Sequence, residues 1–216
     1  MKIGVFDSGV GGQSVVNAIQ KALPEHQVIY KSDSKNVPYG NKTIDDIHKL
    51  VLPILNTLSN LGCEVIVIAC NTVSTNLIEE LRKEINIPLI AMEPMVKPAV
   101  KLTKTGTIAV CATPRTLSSK RYNKLKQYYA KETKVIEPDC SDWSYMIESN
   151  TIDQQKIKKL TKYVCNQGAD VIVLGCTHYH WIEEDIKQIA SNYATVLQPE
   201  LPVIKQLKKV IAGLAA

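Results

Sequence analysis

An internal repeat constrains this chain of 216 residues more than any other feature. The segment Cys63–Thr72 (CEVIVIACNT) is echoed by Ala169–His178 (ADVIVLGCTH), which puts Cys70 and Cys176 at an offset of 176 − 70 = 106 residues. The opening run KIGVF is echoed by TIAVC at an offset of 107 − 2 = 105. One strand-like match alone would be weak, but two matches at nearly one spacing predict a chain built from two similar halves.

Short apolar runs rich in β-branched residues alternate with amphipathic stretches along the chain. The predicted strands are Ile3–Phe6, Val28–Tyr30, Val65–Ala69, Leu89–Ala91, Ile108–Cys111, Val135–Ile136, Val171–Gly175 and Val196–Leu197. The predicted helical stretches are Gly12–Ala22, Thr43–Leu61, Thr75–Ile85, Leu117–Ala130, Gln154–Gln167 and Ile182–Ser191. Alternation of fully apolar strands with helices predicts the α/β class, with parallel sheets that are covered on both faces.

Charge and hydropathy exclude several classes of protein. The net charge of +5 is mild and spread along the chain, without the concentrated basic stripe that nucleic-acid binding requires, so no nucleic-acid partner is expected. The longest apolar runs are too short to cross a bilayer. The chain begins with a strand-like run rather than a signal pattern. We therefore expect a cytoplasmic protein with no membrane partner.

The six cysteines lie at positions 63, 70, 111, 140, 165 and 176, with no Cys-x-x-Cys pair and no zinc-finger spacing. No metal site is therefore expected, and no pyridoxal motif suggests a cofactor. A reducing cytosol keeps such cysteines as thiols. Each is then either a small buried hydrophobic residue or a reactive group.

Two of these cysteines, Cys70 and Cys176, end predicted strands, which is where open α/β sheets bind ligands. Each precedes polar residues that suit a helix start, and a helix N-terminus favours anions and lowers a thiol pKa. Removing the α-proton of an amino acid needs a base on one face, and inversion needs an acid on the other. A single cysteine there is more often a small residue in a tight turn. Two cysteines at equivalent strand ends of the two halves predict acid/base catalysis from opposite sides of one cleft.

The run Asp7–Gly12 (DSGVGG) follows the first predicted strand. Its glycines allow the backbone to approach a ligand closely. Their spacing is too sparse for a dinucleotide fingerprint, and no acidic residue ends the second strand as that motif requires. Asp7 itself is either an ordinary helix cap or a carboxylate that tunes the neighbouring thiol.

Five segments together resemble the glutamate racemases of the aspartate/glutamate racemase superfamily. They are IGVFDSGVGG from Ile3, VPYG from Val37, ACNT from Ala69, ATP from Ala112 and GCTHY from Gly175. The resemblance implies two pseudosymmetric flavodoxin-like α/β domains with parallel sheets and the active site in the cleft between them. We expect a first domain of residues 1–95 plus 206–216 and a second domain of residues 96–205.

The resemblance also implies a function and its residues. The chain would be an isomerase that converts L-glutamate to D-glutamate without a cofactor and supplies D-glutamate for peptidoglycan; a homodimer is left open. Cys70 and Cys176 are the implied acid/base pair, with Asp7 as the partner of the first, His178 as the partner of the second, and Glu148 as support for that histidine. The implied substrate contacts are Asp7, Ser8, Tyr39, Gly40, Asn71, Thr72, Thr177 and His178.

The chain departs from the family pattern at three places. His180 and Ser141 stand where proline is usual, and Gln198 stands where aspartate is usual. Two alternatives stay open. One keeps the site but takes aspartate or another small acid, although aspartate racemases tend to carry glutamate where this chain has His178. The other is a non-catalytic, two-lobed amino-acid-binding protein.

Overall fold

The computed structural model describes residues 1–214, which form eight strands and ten α-helices. The strands are β1 (Lys2–Asp7), β2 (Gln27–Ser32), β3 (Val65–Ile68), β4 (Leu89–Ala91), β5 (Thr107–Ala112), β6 (Lys134–Ile136), β7 (Val171–Gly175) and β8 (Thr195–Leu197). The helices are α1 (Gly12–Ala22), α2 (Ile44–Asn60), α3 (Asn71–Glu84), α4 (Val96–Leu102), α5 (Pro114–Leu117), α6 (Lys120–Tyr129), α7 (Trp143–Glu148), α8 (Gln154–Asn166), α9 (Glu183–Ala190) and α10 (Glu200–Leu214). Short 3₁₀ helices occupy Ser34–Asn36, Tyr39–Asn41 and Thr177–Ile182.

The strands form two parallel four-stranded sheets, in the orders β2-β1-β3-β4 and β6-β5-β7-β8. Each half thus repeats one order, with the first strand of the half between its second and third. This is the arrangement of a flavodoxin-like sheet. The predicted α/β class and the two-fold repeat are confirmed.

Each sheet is covered by helices on both faces, which is why its strands are continuous apolar runs. The first sheet packs α2 and α3 on one face and α1 and α10 on the other. The second packs α7, α8 and α9 on one face and α4 and α6 on the other. Every residue of β3, β5 and β7 is buried, so the carboxyl ends of these strands are held rigidly.

All eight predicted strands are present, but the helices differ from the prediction in three ways. α3 begins at Asn71, directly after Cys70, rather than at Thr75. The predicted stretch from Leu117 is split, because Ser119 accepts a hydrogen bond from the Tyr122 amide at 3.1 Å and starts a new helix. α4, α5, α7 and α10 were not predicted; the first three have only four to seven residues, and α10 carries a proline in its first turn.

The C-terminal helix α10 returns to the first sheet. Its residues Val203, Ile204 and Leu207 are buried in the cluster that also contains Val15 and Ile19 of α1. The expected domain limits stay a prediction, and residues 215–216 of the first domain lie outside the described residues. No helix within residues 1–214 is both long and apolar enough to cross a membrane.

A buried tyrosine holds the loop that leads into α7. The Tyr179 hydroxyl donates to the Cys140 carbonyl at 2.7 Å, and its ring packs edge-on against Trp143. Tyr179→Phe should lower the free energy of unfolding by about 0.5–1.5 kcal/mol, since the Trp143 amide still bonds to that carbonyl. Urea unfolding measures this loss. Tyr193→Phe is the control because Tyr193 is 75% exposed, and an equal loss in both variants would contradict the assignment.

Candidate active site

A closed cavity between the two domains collects most of the predicted site residues. It is lined by Ser8, Pro38, Tyr39, Gly40, Cys70, Asn71, Thr72, Thr113, Ser144, Cys176, Thr177 and His178. The two cysteines reach it from β3 and β7, the equivalent strands of the two sheets. The cavity encloses about 10 Å³ of free space, which is about the room that one water molecule needs. Two predicted residues, Asp7 and Glu148, do not line the cavity and lie behind it.

Cys70 is 4% exposed, and its thiol donates to the Ser8 hydroxyl at 3.3 Å. The sequence predicts a lowered pKa at this helix N-terminus, and that prediction is wrong. Burial, with the negative charge of Asp7, raises the pKa of Cys70 to about 12, although the hydrogen bond with Ser8 and the one from the Val73 amide oppose the shift. In the closed site Cys70 therefore carries its proton at neutral pH.

Asp7 is fully buried at the seam between the domains. Its Oδ2 accepts the Gly12 amide at 2.8 Å, and its Oδ1 accepts the Thr177 hydroxyl at 3.1 Å. Burial raises the pKa of Asp7 above its ordinary value, although these bonds and the positive charge of His178 oppose the shift. Asp7 is not the cap residue of α1, because Gly11 occupies that position, although Asp7 accepts the Gly12 amide. The other open interpretation is supported, because the charge of Asp7 acts on the Cys70 thiol.

His178 lies between Cys176 and Glu148. Its Nδ1 is 3.8 Å from the Cys176 Sγ, and its Nε2 is 2.8 Å from the Glu148 Oε2. Burial opposes a charge on this imidazole, but Cys176, Glu148 and Asp7 together raise the pKa of His178 well above 6.5. Burial likewise opposes a charge on Glu148, but the bonds from His178 and the Val10 amide outweigh it and lower the pKa of Glu148.

Asn71 and Thr72 do not cap α3, as the sequence suggested, because Cys70 occupies the cap position. The Asn71 side chain is buried, and its Nδ2 and Oδ1 have no hydrogen-bond partner among the described residues. Thr72 instead meets Thr113 across the seam, with 3.0 Å between their Oγ1 atoms. A buried amide with both groups free is suited to bind a polar ligand, because leaving it unsatisfied costs free energy.

Two glycines let the domains meet closely behind the site. A Cβ on Gly11 would lie 2.5 Å from the His178 backbone nitrogen and 2.6 Å from the Thr177 carbonyl carbon. A Cβ on Gly9 would lie 2.7 Å from the Glu148 Oε2 and from the His178 Nε2. Glycine is required at both positions because the two domains approach each other too closely there to leave room for a Cβ atom.

Sequence reasoning missed three residues that line the cavity: Pro38, Thr113 and Ser144. Thr113 could have been found from the repeat, because 113 − 8 = 105 makes it the counterpart of Ser8. Pro38 lies in one of the segments that carry the resemblance and Ser144 lies in none of them, and nothing in the type or spacing of either residue indicates a contact with the cavity.

A group suited to a metal ion lies elsewhere. Within residues 1–214, His48, Glu80 and Glu84 could together hold a metal ion, because their ligand atoms all lie within 4.8 Å of one another. They lie on α2 and α3, with both glutamates exposed, and share no residue with the cavity.

Comparison with known proteins decides the family. Residues 11–207 match the family described as Asp/Glu/Hydantoin racemase. The chain belongs to this family. A glutamate racemase of Clostridium botulinum (strain Langeland) is 40% identical over 213 residues, which are 96% of this chain and 82% of the relative. A glutamate racemase of Clostridium novyi (strain NT) is 38% identical over 214 residues, covering 97% and 83% of the two chains.

Solved structures of the family agree with the fold. The Escherichia coli glutamate racemase, in complex with L-glutamate and the activator UDP-MurNAc-Ala, matches with a TM-score of 0.88 at 26% identity over 98% of this chain and 82% of that one. The Francisella tularensis enzyme, in complex with D-glutamate, matches with a TM-score of 0.83 at 29% identity over 99% and 81%. The predicted family and the predicted enzyme class, an isomerase, are confirmed.

The contact at Gly11 can be tested directly. Gly11→Ala should force the backbone of Thr177 and His178 away and lower the free energy of unfolding by about 1–3 kcal/mol. Gly213→Ala is the matched control, because a Cβ there meets nothing within 4 Å. Chemical denaturation measures both. A loss in Gly213→Ala as large as that in Gly11→Ala would contradict the close approach of the domains.

The His178–Glu148 pair makes stability depend on pH with a defined sign. The lowered pKa of Glu148 gives stability that is present above pH 4.5 and lost as pH falls through the folded-state pKa. The raised pKa of His178 gives stability that is present below pH 6.5 and lost as pH rises through the folded-state pKa. The loss of unfolding free energy in Glu148→Gln should therefore be largest between pH 4.5 and 6.5.

Unfolding in urea at a series of pH values measures this difference between wild type and Glu148→Gln. Glu84→Gln is the control, because Glu84 pairs with His48 at 2.9 Å on the surface of α2 and α3. A Glu148→Gln difference that grew steadily as pH rose through the alkaline range would contradict the assigned charges.

Proposed function

We propose that this chain racemises glutamate by a two-cysteine acid/base mechanism, and that it supplies D-glutamate for peptidoglycan synthesis in the cytoplasm. One observation carries the proposal: thiols from equivalent strands of the two sheets line one closed cavity. The relatives at 38–40% identity that are named glutamate racemase support the choice of substrate. All six cysteines are free, as a reducing compartment requires.

The reaction removes one proton from the α-carbon and adds another to its opposite face. In one direction the Cys176 thiolate, beside the positively charged His178, takes the α-proton. The electron pair left on the α-carbon delocalises into the α-carboxylate. The Cys70 thiol, whose pKa of about 12 keeps it protonated, donates its proton on the opposite face and becomes the thiolate. The reverse direction exchanges the two roles, and proton exchange with water restores the starting state.

Neutral donors would hold most of the substrate. No residue that lines the cavity within the described chain is lysine or arginine. The free amide of Asn71 and the hydroxyls of Ser8, Thr72 and Thr177 can bind the two carboxylates and the ammonium group. His178 is the one positive charge at the cavity wall, so it would face a carboxylate. Tyr39 and Gly40 complete the wall on the side of the first domain.

The closed cavity requires a domain motion during turnover. An amino acid is several times larger than a water molecule, and the cavity has room for about one water. Residues from both domains line it, so separation of the domains along the seam would admit the substrate. Closure would then exclude water and place both thiols against the α-carbon.

The identity of the substrate is tested by exchange of the α-proton in deuterated water, followed by NMR on both enantiomers of glutamate and of aspartate. We expect exchange on glutamate to exceed exchange on aspartate. Faster exchange on aspartate would show that the chain acts on aspartate or another small acid instead of glutamate. Binding of glutamate without exchange would identify the non-catalytic alternative.

The two-thiol mechanism is tested by Cys70→Ala and Cys176→Ala. Each should lower kcat for racemisation by about 10²–10⁴-fold, because each removes the only acid or base on one face of the substrate. Cys165→Ala is the matched control, since Cys165 is half-buried on α8 and does not line the cavity. Circular dichroism of each purified protein and the initial rates from L- and D-glutamate are measured together. Racemisation at the wild-type rate in Cys70→Ala would overturn the mechanism.

A further inference from the structure

Two of the three departures from the family pattern meet in the structure. His180, Gln198 and Glu200 come together with Ser14 in a polar group at the seam, which we call the seam cluster. The His180 Nδ1 lies 3.0 Å from the Ser14 Oγ and 3.2 Å from the Glu200 Oε1. Gln198 donates to the Glu200 Oε2 at 3.1 Å and accepts the Glu200 amide at 3.0 Å.

The seam cluster joins three elements that otherwise belong to different layers. Ser14 lies in the first turn of α1, and Glu200 lies in the first turn of α10. His180 lies in the Thr177–Ile182 turn, which also carries Thr177 and His178. The turn therefore meets α1 twice: at Gly11, where the backbones touch behind the active site, and at Ser14, three residues further along the helix.

The hydrogen bonding of the seam cluster is directional. The Ser14 hydroxyl donates to the Gly11 carbonyl at 3.2 Å, so it can accept from His180. The Glu200 carboxylate is an acceptor only, since its hydrogen bonds with His180 and Gln198 hold its pKa below the ordinary value although burial opposes this. The proton of His180 must therefore sit on Nδ1, which fixes the orientation of the ring.

This arrangement costs free energy that stability alone does not explain. The His180 side chain is 2% exposed, and its Nε2 has no hydrogen-bond partner among residues 1–214. An unsatisfied buried polar atom is unfavourable, and an apolar residue of similar size would avoid the cost. What the histidine adds is a fixed distance between the turn and both helices.

We propose that the seam cluster is a positioning device for the Cys176 side of the site. By fixing His180 to α1 and α10, it holds the Thr177–Ile182 turn so that His178 stays in contact with Cys176 and Glu148. His180, Ser14 and Glu200 are thus positioning residues that act through His178. The inference rests on the proposed racemisation only for its kinetic readout.

Three substitutions test the proposal by kinetics. His180→Ala, Glu200→Gln and Ser14→Ala should each lower kcat for glutamate about 10- to 100-fold with little change in KM, because a misplaced catalytic group costs rate rather than binding. His180→Asn should restore most of kcat, since its amide places a donor where Nδ1 lies. Ser14→Ala removes only one hydroxyl, so it keeps the test valid if His180→Ala fails to fold.

A second readout does not depend on racemase activity. Iodoacetamide alkylates accessible thiols, and mass spectrometry gives the ratio of modified Cys176 to modified Cys165, a half-buried cysteine outside the cavity. Loosening the turn should raise this ratio in Glu200→Gln and Ser14→Ala and leave it near the wild-type value in His180→Asn. If the wild-type chain did not racemise glutamate, the proposed function would fail while this ratio would still test the seam cluster.

His48→Ala is the matched control, because His48 also pairs with a glutamate, Glu84 at 2.9 Å, but lies on α2, whose residues do not line the cavity. It should keep the wild-type kcat and alkylation ratio. The proposal is overturned if the three seam variants only lower the melting temperature and keep the wild-type kcat and ratio. It is also overturned if His180→Asn is as impaired as His180→Ala.

Discussion

The buried carboxylate of Asp7 is the interaction on which the rest of the site depends. It accepts the first amide of α1 from its own domain and the Thr177 hydroxyl from the other domain. A buried charge without such partners is very costly, so these two donors replace the water that closure of the domains removes from the carboxylate. Thr177 precedes His178 and directly follows Cys176, and the same contact therefore sets the distance between the two halves of the site.

The two thiols have equivalent backbones and unequal surroundings. Cys70 faces a hydroxyl and a negative charge, and burial keeps it protonated. Cys176 faces the imidazole of His178, whose pKa the contacts with Cys176, Glu148 and Asp7 raise. The repeat explains this difference as well: the position equivalent to Asp7, at an offset of 105, is Ala112, which has no charge to offer. The asymmetry lies in a few side chains on two closely similar sheets.

The sequence was sufficient for the sheets and insufficient for the electrostatics. Strands such as Val65–Ile68 are buried on both faces, so they appear as unbroken β-branched runs. Helices such as α5 are too short to show a period. The direction predicted for the pKa shift of Cys70 was wrong. The local helix start favours the thiolate, whereas the burial that raises the pKa is set by residues distant in sequence. The Ser14–His180 contact joins positions 166 residues apart, which no local pattern reveals.

The repeat of one sheet order in two halves has an evolutionary consequence. Under the proposed mechanism a half-length chain carries one of the two site thiols, which can remove a proton from one face and return it only to that face. Such a chain would exchange protons with water and leave every substrate molecule in its original configuration. Inversion could begin only when two copies faced each other, either as separate chains or after fusion of a duplicated gene. Specialised neighbours such as Asp7 and His178 could then diverge, because each copy no longer had to serve both faces.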